Sequence, residues 1–416
     1  MSERCQYESG VTVPTLTLFK TSTMRTDDVM GKNHYKEIKT ILNHCRNNRG
    51  DQEIVSALSE NRIYIYGAGN VGTAVCKLLH DAGIETEAFL DRNCNSGAMH
   101  LNKNIYQMDY LDAFTFNKNT DYIIISFIAS LAEMKAIKNI LNGKGFKNVI
   151  HFYDIYRLLI TNRLALKSSS AFFIATDVLI DFDEIMDRVL MSSELWQDEI
   201  SSKTYLDFVS VISSANPDLF SPMICQQQYF VKDIFFNKGY LRFIDCGAYE
   251  GDTAAALAAN TATARAIVCF EPDPQNFINL CTAMRKQRVA NEQILFPCGV
   301  WHRSEMVRFR SGTMSTSMIS EIGDRYIQCV AIDDVVPDFK PTFIKMDVEG
   351  AEYEALRGAR KTIKEVTPDL AISVYHRVEH MWEIPLLLKS EHADYAFYLR
   401  NHGRHGVETV MYATSL

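Results

Sequence analysis

Four apolar runs in the second half of this chain end in groups able to do chemistry. FI leads into Asp245-Cys246-Gly247-Ala248-Tyr249-Glu250-Gly251-Asp252, AIVCF into Glu271-Pro272-Asp273, FIKM into Asp347-Val348-Glu349-Gly350, and LAISV into Tyr375-His376. In a doubly wound parallel sheet, ligands bind beyond the carboxyl ends of the strands, so these groups would meet in one crevice. Gly247 and Gly251 let the backbone approach a ligand and open a following helix. That turn suits any nucleotide, but Glu250 and Asp252 would repel a pyrophosphate. A cationic, phosphate-free adenosine compound fits better, and S-adenosylmethionine is such a compound. Glu271 lies 24 positions after Gly247 (271 minus 247), the spacing of an acid that accepts hydrogen bonds from ribose hydroxyls. The plainer alternative is a tight turn whose acids only cap a helix.

A second candidate site lies near the start. Gly67, Gly69, Asn70 and Gly72 follow the strand pattern RIYIY, and Asp91 ends the next one, again 24 positions on (91 minus 67). This is a dinucleotide fingerprint in its required context. A nucleotide sugar, a dinucleotide, or a purely structural or dimerising role all remain open for it.

The elements that must position these residues form two alternating series. Residues 1–60 read as an arm with a helix from His34 to Asn47, and 61–154 as a small parallel α/β domain. Residues 155–238 read as a helical connector, and 239–416 as a second α/β domain. The fold expected is α/β, with two nucleotide-binding-type domains. The last stretch, DYAFYLRNHGRHGVETVMYAT, reads as two strands around a glycine-rich turn, an antiparallel hairpin closing a parallel sheet. Between 302 and 335 an inserted polar segment reads as a small β excursion, where Ser315, Thr316 and Ser317 could meet a polyhydroxylated acceptor or simply form a surface turn.

FIDCGAYEGDT, FEPDP, FIKMDVEGAEYEALRGA and SVYH resemble successive motifs of the FkbM-type methyltransferases, over about residues 240 to 414. The resemblance implies a class I methyltransferase fold whose seven-stranded sheet ends in the hairpin, S-adenosylmethionine as cofactor, and a hydroxyl of a sugar or glycosylated compound as acceptor. It points to carbohydrate modification such as polysaccharide biosynthesis. It further implies a cofactor site from Asp245, Gly247, Ala248, Tyr249, Glu250, Gly251 and Thr253 with Glu271, Pro272 and Asp273, and methyl transfer beside MDVEGAE. QQQYFVKDIF is similar to the lead-in of longer members, which places Tyr229 over the cofactor. Where such proteins commonly carry an acidic end to strand five, this chain has Tyr375-His376.

Methyl transfer to a sugar hydroxyl needs alignment and a base. Asp347, Glu349 and His376 stand at the right strand ends, with His376 and Asp347 ranked level, and a carboxylate pair there could instead hold a divalent ion. Lys345 reads as a buried counter-charge. His376-Arg377-Val378-Glu379-His380 matches a zinc-peptidase pattern, but that pattern requires both histidines on one helix, whereas His376 ends a strand and helical periodicity starts at Trp382. The competing classes are an NAD-dependent sugar oxidoreductase using the front domain, and a non-catalytic nucleotide-sugar-binding module with a decayed methyltransferase fold.

Bulk properties agree with a folded enzyme: 47% of the 416 residues are hydrophobic and 23% charged. A net charge of −8 argues against a nucleic-acid partner. No apolar run is long enough for a membrane span. Ten scattered cysteines without a CxxC pair read as reduced thiols, hence a cytoplasmic protein. Self-association is compatible with all of this.

Overall fold

The computed structural model describes residues 28–47, 52–92, 98–107, 116–126, 131–152, 182–214, 225, 227–261, 264–310, 318–319, 325–392, 394–403 and 406–415. Ser315, Thr316 and Ser317, and most of the expected amino-terminal arm, lie outside them.

Helices α1 (Asp28–Asn47) and α2 (Gln52–Glu60) precede a first sheet built from β1 (Ile63–Tyr66), α3 (Asn70–Asp81), β2 (Ala88–Asp91), β3 (Met99–His100), β4 (Lys103–Gln107), β5 (Tyr122–Ile125), α4 (Leu131–Gly143) and β6 (Asn148–His151). Its strand order is β3-β4-β2-β1-β5-β6, parallel except for the short edge strand β3. The central IYIY and YIII runs are almost entirely buried, as strands covered on both faces require. α1 begins six residues before the helix expected from the sequence, and packs on the two helices that follow this sheet, α5 (Phe182–Ser193) and α6 (Glu199–Ser214).

After α6 the expected helical connector departs from expectation. Residues 227–241 are turns and irregular chain, because their backbone groups bond to the far end of the molecule. Tyr229 N donates to the Tyr412 hydroxyl, Asn237 N to Thr414 Oγ1, and Lys238 N and Gly239 N to Asp369 Oδ2.

The second sheet follows: β7 (Arg242–Cys246), α7 (Asp252–Asn260), β8 (Ala264–Phe270), α8 (Pro274–Lys286), β9 (Ala290–Phe296), the excursion β10 (Gly299–Val300), β11 (Glu305–Arg310), β12 (Met318–Ile319) and β13 (Arg325–Val330), then α9 (Ile332–Val335), β14 (Phe343–Met346), α10 (Glu352–Arg357), α11 (Arg360–Val366), β15 (Asp369–Ser373), α12 (His380–Glu391), β16 (Tyr395–Asn401) and β17 (Thr409–Ser415). Seven strands run in the order β16-β17-β15-β14-β7-β8-β9, and the excursion forms its own four-stranded sheet, as its polar pattern suggested. β17 is antiparallel to both neighbours and all other pairs are parallel. The order reverses between β7 and β14, which is the switch point where a doubly wound sheet opens a crevice.

Two devices hold the pieces together. Asp273 caps α8 by accepting from Gln275 N and Asn276 N, with Pro274 at the first helical position, where its missing N–H costs nothing. Arg400 on β16 is 1% exposed and pairs with Asp198, just before α6, and with Asp233. A guanidinium buried this deeply needs both carboxylates, so the hairpin and the preceding segment are locked as one body.

Candidate functional site

Parallel pairing of β7 with β14 sets Lys345 beside Asp245, and their side chains form a fully buried ion pair at 3.0 Å. The lysine also donates to the Gly247 carbonyl at 2.7 Å. Lys345 is therefore the counter-charge read from the sequence, and it also props the loop from below. Burial raises the Asp245 carboxyl to about 6 although Lys345 opposes this. Burial would lower the lysine, but Asp245 more than compensates and its value rises.

The loop above is sterically fixed. Gly247 has φ +78°, and a Cβ there would lie 1.9 Å from the Asp347 carbonyl oxygen, so only glycine lets the ends of β7 and β14 approach. Gly251, at φ +93°, caps α7, and Thr253 is buried in its first turn. Ala248 is buried, while Tyr249 and Glu250 face outward, Glu250 accepting from Asn279 on α8. Glu271 is 6% exposed and accepts from Tyr249 N at 2.9 Å and Asp273 N at 2.8 Å, one bond to each oxygen. Burial raises its carboxyl to about 7 despite these donors. Pro272 lies between it and Asp273, whose carboxylate is committed to capping α8. Gly247, Gly251 and Glu271 are thus brought together; Glu250 and Asp273 are partly engaged elsewhere.

Beyond β14 and β15 a second group converges. His376 Nε2 lies 3.4 Å from Asp347 Oδ1 and 3.5 Å from Glu349 Oε2, while its Nδ1 lies 2.7 Å from Glu352 Oε1. Asp347 Oδ2 accepts from the Tyr229 hydroxyl at 2.6 Å. Tyr229 therefore reaches the site, with its ring against Lys345 and its hydroxyl on Asp347. Burial would depress His376, but Glu352 first, then Asp347 and Glu349, raise it to about 9. Burial raises Glu349 to about 7 against the pull of His376.

Glu352 was not singled out in the sequence, where it reads as an ordinary first-turn acid of a helix. The fold buries it completely. Its Oε1 accepts from Val348 N and Gly350 N as well as facing His376, and its Oε2 lies 3.1 Å from His380 Nδ1. Burial would raise its carboxyl, yet the two histidines hold it well below the ordinary range. The peptidase-like histidines therefore clasp one carboxylate, and α12 begins only at the second of them, as the absence of a helix at His376 implied.

In the front sheet, Gly67 and Gly69 follow β1, Asn70 and Gly72 lie in the first turn of α3, and Asp91 ends β2. Ala68 N donates to Asp91 Oδ2 at 2.9 Å, as Tyr249 N does to Glu271. A Cβ on Gly72 would lie 1.8 Å from the Gly67 carbonyl oxygen, so this glycine closes the turn.

The described cysteines Cys76, Cys225, Cys246, Cys269, Cys281, Cys298 and Cys329 are free thiols. No helix among the described residues is long and apolar enough to cross a membrane.

Comparison with known proteins bears on the fold and on the carboxyl-terminal domain. Residues 245–405 match the family model of the methyltransferase FkbM domain. The crystal structure of a methyltransferase FkbM from Methylobacillus flagellatus KT aligns over 92% of this chain and 100% of that one, with a TM-score of 0.72 at 20% identity, a likeness of fold. A Clostridium thermocellum protein assigned as an rRNA methylase aligns over 42% of this chain and 84% of its own at 11% identity, with a TM-score of 0.28, too low to bear on the argument. No curated protein matches the chain. Residues 245–405 thus match the methyltransferase FkbM domain, and the chain is an α/β protein with the fold of the Methylobacillus flagellatus structure.

Proposed function

We propose that the carboxyl-terminal domain, residues 239–416, transfers a methyl group from S-adenosylmethionine to a hydroxyl of a sugar-containing acceptor. The observation that carries this reading is Glu271, buried at the end of β8, with each oxygen bonded to one backbone amide and retaining a lone pair for a ribose hydroxyl. Lys345, the basic side chain under the loop, is already spent on Asp245 and Gly247 and so is not available to a pyrophosphate. When bound, S-adenosylmethionine would supply a methyl carbon activated by its sulfonium for in-line attack by the acceptor oxygen, with the thioether of S-adenosylhomocysteine as leaving group. Asp347, Glu349 and His376 receive the acceptor: their polar atoms orient the hydroxyl, and a carboxylate of this group takes its proton. The negative charge gathered there also favours the approach of the cationic cofactor.

For the front domain, residues 61–154, a nucleotide sugar is preferred over a dinucleotide because no hydride-transfer group stands beside the glycine turn among the described residues, with a purely structural or dimerising role level with it. A cytoplasmic setting and a role in carbohydrate modification accord with free thiols and an acidic chain. The decisive experiment incubates the protein with methyl-labelled S-adenosylmethionine and a panel of nucleotide sugars and free glycosides. Label transferred to a sugar oxygen is expected. No affinity for S-adenosylmethionine or S-adenosylhomocysteine at millimolar concentration would end this reading, and reduction of NAD with a sugar substrate would replace it by an oxidoreductase.

A further inference from the structure

The group beyond β14 and β15 contains buried polar atoms that its own hydrogen bonds leave unsatisfied. His376 Nε2 and Asp347 Oδ1 are both buried and neither has a hydrogen-bond partner, although they lie 3.4 Å apart. The His376 side chain is 7% exposed, and its other nitrogen faces Glu352 at 2.7 Å. A histidine that donates Nδ1–H to a buried carboxylate turns Nε2 forward, where an incoming cation displaces its second proton and takes the lone pair, the carboxylate–histidine arrangement that orients metal ligands. Asp347, Glu352 and His376 offer ligand atoms lying within 4.8 Å of one another. Glu352 is occupied by Val348 N, Gly350 N and the histidine, so it stands behind the imidazole rather than in front of it. Glu349 Oε2, 3.5 Å from Nε2, faces the same forward position.

We infer that His376 Nε2, Asp347 Oδ1 and Glu349 Oε2 form a site for a divalent cation, with Glu352 as the residue that orients the imidazole. The two separations from Nε2, 3.4 Å to Asp347 Oδ1 and 3.5 Å to Glu349 Oε2, suit such an ion, since neighbouring ligands at about 2.0–2.2 Å from a metal lie about 3.0–3.5 Å apart. One imidazole and two carboxylates select a cation of the manganese or magnesium class over a thiolate-loving one. The two acids are partly exposed, Asp347 at 25% and Glu349 at 32%, so the remaining positions open toward solvent and the acceptor. The role of the ion rests on the proposed transfer reaction: a Lewis acid at this point lowers the pKa of an acceptor hydroxyl, which a sugar requires. Its binding does not depend on that reaction.

The test is a titration of Mn²⁺ into the chelator-treated full-length protein without cofactor or acceptor, followed by the electron paramagnetic resonance of free Mn²⁺ and by calorimetry. One ion per chain is expected. His376→Ala and Asp347→Asn should each weaken binding at least tenfold, and Glu352→Gln by about 10- to 100-fold, the usual effect of losing a partner behind a metal ligand. Asp347→Asn keeps the inference testable if the buried His376 or Glu352 variants fail to fold, which circular dichroism would reveal. Absence of a stoichiometric site, or unchanged affinity in Asp347→Asn and His376→Ala, would overturn it. Full methyl transfer by chelated protein would refute the cation's role while sustaining the proposed function, whereas Mn²⁺ binding without cofactor affinity would do the reverse.

Discussion

Lowering the pH from 8 to 6 is expected to weaken S-adenosylhomocysteine binding about tenfold through Glu271 alone. Burial holds this carboxyl at about 7, so its ionised fraction drops from about nine-tenths to about one-tenth over that range. Only the ionised form can accept from Tyr249 N, Asp273 N and a ribose diol together, because protonation turns one acceptor site into a donor. Without ligand the sign is opposite. A carboxyl raised from 4.5 to about 7 in the fold favours the protonated state, so its contribution to stability is present below pH 4.5 and is lost as the pH rises to about 7. The full difference is of the order of 3 kcal/mol. Glu271 should thus make the free protein less stable, and the liganded one tighter, on going from acid to neutral. The assay is calorimetry at pH 6, 7 and 8 in buffers of different ionisation heat, paired with thermal melts of the free protein. Glu271→Gln is the control: it should bind weakly at every pH and lose both trends, at a cost of about 1–3 kcal/mol for the backbone amide left facing an NH₂ group. Identical pH profiles for variant and wild type would refute the reasoning, since the cofactor's own amino group would then account for the whole dependence.

Gly247→Ala should cost more than about 2 kcal/mol, from the left-handed backbone and the 1.9 Å approach to the Asp347 carbonyl, and should lower the urea midpoint and abolish transfer together. An unchanged midpoint would mean that the ends of β7 and β14 are not in contact. Lys345→Met should destabilise by about 3 kcal/mol because it strands Asp245, and adding Asp245→Asn should restore part of the loss. A double variant no better than the single one would exclude the ion pair as the cause. Tyr229→Phe removes the hydroxyl bonded to Asp347 and should reduce turnover while leaving S-adenosylhomocysteine affinity nearly unchanged. A loss of affinity instead would make Tyr229 a cover over the cofactor, as the sequence resemblance suggested.

The sequence alone determined the alternation of strands and helices, the glycine turns at 247 and 72, the acids at 271 and 91, and the terminal hairpin. Each follows from local rules: glycine where φ is positive or a Cβ cannot fit, proline and aspartate where a helix starts, apolar runs where a strand is covered on both faces. Tertiary structure decided what those rules cannot reach. Glu352 looks like any first-turn acid until strand β15 and helix α12 bring His376 and His380 to its two oxygens. Residues 227–238 look helical until β17 and Asp369 claim their backbone donors. α1 sits at the front of the chain but packs on α5 and α6. In each case the deciding partner is more than twenty positions away. A residue's type and near neighbours fix its own conformation, but not which distant charge or donor will share its buried space.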